Sequence, residues 1–162
     1  MTLRLSIWIL GSIALLGNAF VLIWRLKTKS DSRVHALLLL NLAIADFLMG
    51  IYLVILGSVD VFYRGKYFIY NDSWKHSPLC QFCGFVSTLS SEASVIILSI
   101  MTLDRYVTIA HPFKHIGLSV RGAHVSLVIT WLGAFILAGV PLTGLRYFKE
   151  FYARSGVCLP IH

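Results

Sequence analysis

Few residues in this 162-residue chain have the chemistry to do work, and their positions are unusual. Asp46 and Glu92 each stand inside a long apolar run. A carboxylate at bilayer depth costs several kcal/mol unless it faces a polar interior, so each is functional by default. Asp46 lies thirteen residues above Arg33, roughly 20 Å along a helix. Ser94 lies eleven residues above Arg105, roughly 16 Å, and Asn18 seven residues above Arg25, roughly 10 Å. A carboxylate joined by neutral oxygen donors is a site for a hard cation, and sodium at Asp46 and Ser94 is the natural candidate. The same three groups could equally form a hydrogen-bonded packing cluster without an ion. Glu92 could pair with a polar group on another helix or be neutral, and the sequence leaves its role open.

Asp104-Arg105-Tyr106 closes the run that Cys80 opens. As a solvated pair, Asp104 and Arg105 would contribute little. As a pair whose arginine can exchange partners, they would make a switch. The three cysteines, at 80, 83 and 158, are too few for a zinc site, and no βαβ pattern surrounds Cys80-Gln-Phe-Cys83. One bridged pair and one spare thiol fit better. The six histidines show no ligand spacing, and no phosphate loop, Ser-His-Asp set or metalloprotease motif is present. Nothing supports an enzyme, and beyond possible sodium no cofactor is implied.

The elements that must position these groups are membrane spans. Hydrophobic residues make up 57% of the chain and charged ones 13%, with a mean hydropathy of +0.79. A soluble domain is closer to half apolar and a quarter charged. The pattern predicts an all-α membrane protein with helices at about 5–25, 34–60, 78–110 and 121–145. Twenty-five residues separate Cys80 from Arg105, roughly 38 Å, which exceeds the ~30 Å hydrocarbon core. The net charge of +7 lies on residues between apolar runs, with no basic groove and interleaved aromatics, so nucleic acid is not an expected partner.

Orientation follows from the first helix. Arg25, Lys27, Lys29 and Arg33 follow it, against Arg4 before it, which places loops 26–33 and 111–120 in the cytoplasm. Loop 61–77 and tail 146–162 then face outward. Asn71-Asp72-Ser73, a glycosylation sequon, falls on that outer side, as do Cys80 and Cys158, where oxidation is possible. Pro112 is expected to end the third helix, and Pro141 to kink the upper end of the fourth.

Taken together, these residues resemble the rhodopsin-like, G-protein-coupled receptor family. Gly17-Asn18 with Val21, Asn41-Leu42-Ala43-Ile44-Ala45-Asp46, Cys80, Ser94, Asp104-Arg105-Tyr106, Trp131 with Pro141, and Cys158 each look like a family motif. The resemblance implies a rhodopsin-like transmembrane helix bundle with four of seven helices present. It implies a disulfide between Cys80 and Cys158, a sodium-site serine at Ser94, and a G-protein switch at Asp104, Arg105 and Tyr106.

A narrower resemblance is to the leucine-rich-repeat receptors, the relaxin receptors above all. It rests on Met49-Gly50-Ile51-Tyr52-Leu53, Asp60, Arg64-Gly65-Lys66-Tyr67, Trp74, Cys80-Gln81 and Leu89 to Val95. Where this chain has Asp104, many of those receptors have Glu. The implied partners are a heterotrimeric G protein, a peptide or protein hormone, membrane lipid and possibly a second receptor copy. The implied setting is the plasma membrane, crossed several times. By family logic the chain is the front portion of a receptor bundle. The alternative is a truncated four-helix membrane protein that regulates a full-length receptor. A small transporter or channel would want charges aligned along a pore, and two intramembrane acids are thin support for one.

Overall fold

The computed structural model describes residues 2–28, 32–63, 72–111, 117–143, 151–152 and 157–159. Four long helices dominate: α1 (Thr2–Lys27), α2 (Arg33–Phe62), α3 (Pro78–Ala110) and α4 (Val120–Gly139). No strand occurs among the described residues. Each helix is long and apolar enough to cross a bilayer.

Local chemistry sets the starts. Ser32, Ser77 and Ser119 each stand in extended backbone just before α2, α3 and α4. Their side-chain oxygens accept from the N–H groups of His35, Cys80 and Gly122, satisfying donors that a helix's first turn leaves free. Pro78 fills the first turn of α3, where its missing N–H costs nothing. At the far end of α4, Pro141 cannot donate to the carbonyl four residues back. The α-helix therefore stops at Gly139, and Val140–Thr143 continues as a tighter 3-10 turn. The expected kink is a change of helix type.

α1 packs on α2, α2 on α3 and α4, and α3 on α4. With neither water nor lipid favouring one apolar face over another, close fit decides helix association in a membrane. Small residues supply it: Ala45, Ala93, Ala134 and Ala138 are all fully buried where α2, α3 and α4 meet, with Leu38 and Ile97 among them. Gly50 does the same for α1, because an added Cβ would lie 2.9 Å from the Leu15 backbone nitrogen. The outward faces carry exposed Leu, Ile, Phe and Trp, as a lipid-facing surface requires.

A second core cluster, around Tyr52, Trp74, Cys80, Cys83 and Cys158, closes the end where α2 finishes and α3 begins. At that end Arg4 Nε of α1 meets Asp60 Oδ2 of α2 at 2.9 Å.

Candidate functional site

α2 and α3 place one acid and one hydroxyl face to face in mid-span. Ser94 Oγ donates to Asp46 Oδ1 at 2.6 Å, and both residues are half-buried. The neighbours Ala45 and Ala93 are fully buried and small enough to let the two helices approach. Asn18, expected at similar depth on α1, uses its side-chain amide on the carbonyl of Ala14, 2.8 Å away in its own helix. Depth along a helix is one coordinate, and rotation about its axis is another.

At the opposite end from the disulfide, Asp104 Oδ1 accepts from the backbone N–H of Leu118 at 2.8 Å. Its carboxylate thus ties α3 to the segment that enters α4. Arg105 and Tyr106 are exposed. No ion pair joins Asp104 to Arg105 among the described residues. The reason is geometric, since successive helical side chains point away from each other. Glu92 is exposed on a face of α3 that no other described helix covers.

The disulfide end is more heavily built. Cys80 and Cys158 are joined, their Cα atoms 5.4 Å apart, and Cys83 is a buried free thiol. Cys158 takes a left-handed φ of 56°, unusual for a residue other than glycine. Tyr52 on α2 donates its hydroxyl to the carbonyl of Val157 at 2.7 Å, and Tyr152 donates to the carbonyl of Ala138 on α4 at 2.9 Å. The Tyr152 ring lies on Gly84, where an added Cβ would come within 2.7 Å of the Cys158 carbonyl oxygen and nearer still to the ring. Only glycine allows that approach. Burial pushes the Tyr152 hydroxyl above its ordinary pKa, against a smaller opposite effect from Thr88. Asn71 of the sequon lies outside the described residues, as does Pro112.

Sequence reasoning missed these anchors. It also missed the bond from Trp131 Nε1 of α4 to Asn41 Oδ1 of α2, at 3.1 Å. The signal was present, since an indole N–H within a membrane span needs an acceptor.

Comparison with known proteins decides what this arrangement is part of. The model of the 7 transmembrane receptor (rhodopsin family) matches residues 17–161. The chain belongs to that family. Rhodopsin-family receptors are multi-pass plasma membrane proteins and are not enzymes. Among its relatives, the G-protein coupled receptor GRL101 of Lymnaea stagnalis is 51% identical over 160 residues, covering 99% of this chain and 14% of that receptor. Relaxin receptor 1 of Rattus norvegicus is 36% identical over 159 residues, covering 98% of this chain and 21% of the relative. The thyrotropin receptor of Felis catus is 36% identical over 160 residues, covering 98% and 20%. The chain therefore spans only about a seventh to a fifth of the length of these relatives. The rhodopsin-like bundle and the likeness to relaxin receptors, both read from sequence, are borne out.

Proposed function

We propose that this chain supplies the first four spans of a receptor that couples a peptide or protein hormone outside the cell to a heterotrimeric G protein inside. The hormone class is supported by the names of the relaxin and thyrotropin receptors. The observation that carries the mechanism is the Ser94–Asp46 bond, a polar link in mid-span between α2 and α3. Such a bond ties α2 to α3 in one arrangement of the bundle. A ligand that favours another arrangement has to offset it. On this reading the disulfide end faces outward, where oxidation occurs, and the Arg105 end faces the cytoplasm.

The inner end then divides two roles between neighbours. Asp104 stays on the Leu118 amide and holds the loop before α4, while Arg105 and Tyr106 stand exposed for a G protein to engage. Arg105→Ala in the full-length receptor should abolish hormone-stimulated nucleotide exchange on the G protein and leave hormone binding within about threefold. Unchanged nucleotide exchange would remove Arg105 from the switch.

Asp46 and Ser94 also fit a sodium ion in part. The second carboxylate oxygen and the serine lone pairs are hard donors, and Ser94 can ligate through a lone pair while its O–H still donates to Asp46. Asn18 donates its amide N–H to the Ala14 carbonyl, and its side-chain oxygen is the atom that would face an ion. Sodium would favour the arrangement that brings the two residues together. Asp46→Asn keeps an acceptor for Ser94 but removes the charge. It should remove sodium's effect on agonist affinity, measured by titrating sodium against potassium at constant ionic strength. A retained sodium effect would show that Asp46 and Ser94 form a packing contact only.

A further inference from the structure

The seam between α1 and α2, at the end away from the disulfide, carries a feature that the switch and the polar link do not use. Arg25 stands in the last turn of α1 and Arg33 opens α2. Both line one cleft of about 250 Å³, with Thr28, Leu37 and Leu40. A second cleft, of about 460 Å³, begins on another side of Arg25 and is lined by Phe20, Val21, Trp24 and Leu39. A cationic cleft and an apolar groove thus share Arg25 as a common wall.

The depths agree with an amphiphile. Phe20 is five residues from Arg25, roughly 7.5 Å along α1, and Leu39 is six from Arg33, roughly 9 Å along α2. Phe20 and Trp24 are exposed at 64% and 58%, with ring centroids 5.9 Å apart. Exposed aromatics at that level belong to the boundary between headgroups and acyl chains. The charge is one-sided as well. Among the described residues, the acid at this end is Asp104, and the Leu118 amide already engages it. No carboxylate pairs with Arg25 or Arg33 among the described residues. Two arginines lining one cleft, with no counter-anion among the described residues, beside an apolar groove, match the anionic lipid of a cytoplasmic leaflet.

We propose that this seam holds one anionic phospholipid, its phosphate between Arg25 and Arg33 and an acyl chain along Phe20, Trp24 and Leu39. The lipid staples α1 to α2 at the end that the Arg4–Asp60 pair does not reach. Its placement in the cytoplasmic leaflet rests on the orientation proposed above.

The test is native mass spectrometry of the purified full chain in detergent, offered equimolar phosphatidylserine and phosphatidylcholine. The expected result is preferential retention of phosphatidylserine. Each arginine contributes roughly fivefold to that preference, so Arg25→Gln and Arg33→Gln each lose about that factor and the double variant loses both. Arg121→Gln, a cation at the same end but outside both clefts, keeps the preference. So does the charge-preserving pair Arg25→Lys and Arg33→Lys, and the single variants read the site should the double one fail to fold. Equal retention of the two lipids, or an equal loss in Arg121→Gln, would overturn the proposal. Displacement of the lipid by millimolar inorganic phosphate would make this a free-phosphate site and overturn it too. Both ends are accessible in detergent, so the binding result does not depend on orientation. Impermeant labelling of a cysteine introduced at Arg121 in intact cells tests the orientation separately.

Discussion

Tyr152 carries a larger share of the structure than its place in a return segment suggests. The last turn of a helix leaves carbonyls without partners, and Pro141 prevents α4 from supplying one more donor. The Tyr152 hydroxyl donates to one carbonyl of this last turn, that of Ala138, while its ring covers Gly84 on α3. One side chain therefore fixes the spacing of two helices and the approach of the Cys158 segment. Tyr152→Phe keeps the ring and removes the bond, so it should cost about 1 kcal/mol, read as a lowered Tm in detergent. The pH dependence has a definite sign. Burial raises the folded pKa above the ordinary value of 10.0, so the folded state holds the proton more tightly than the unfolded one. The stability this contributes is fully present below about pH 10 and is lost as pH rises through the folded pKa. Wild type should thus lose more stability than Tyr152→Phe between neutral pH and pH 11. Parallel curves would show that the hydroxyl is not buried in solution.

At the scale of elements, what was legible in the sequence was whatever one dimension can carry. Four apolar runs gave four helices, because a span must satisfy its backbone internally. The serine caps were equally readable and explain why α2 and α4 begin one residue before their expected starts, at Arg33 and Val120. Contacts between helices were less legible, because they depend on rotation about each axis. Matching depths on three helices suggested one cluster, yet α2 and α3 share a bond while Asn18 turns to its own backbone. The Trp131–Asn41 bond was hidden for the same reason, although each residue stood out in the sequence. That bond joins α2 to α4 across α3's flank. Interhelical bonds in bilayers average about 0.6 kcal/mol and reach about 1.7. Trp131→Phe retains the aromatic bulk, so its cost should fall in that range when unfolding is followed in mixed micelles. A loss above about 3 kcal/mol would mean that the indole does more than bond Asn41.

At the scale of the whole molecule, the two ends of the bundle are held by different chemistry. The disulfide end is fastened covalently, by Cys80 to Cys158 across a sequence separation of 78, and again by Tyr52 and Tyr152. Among the described residues, the opposite end relies on one carboxylate–amide bond, Asp104 to Leu118, and otherwise presents exposed cations. A signalling bundle suits that asymmetry. Opening is least costly where few bonds must break, so a hormone acting on the tied end would find its response at the loose one. Cys158→Ser tests how much the tied end matters. Closing a loop of this length contributes at most about 4.5 kcal/mol by chain entropy, and less here because membrane spans already restrict the unfolded chain. The variant should therefore reach the cell surface at reduced level and unfold earlier, while Tyr52 and Tyr152 keep the return segment loosely placed. A second substitution, Tyr152→Phe, should then cost clearly more than it does alone, because the two anchors hold the same segment and cannot be independent. Simple additivity of the two losses would mean that disulfide and tyrosine secure separate parts of the disulfide end.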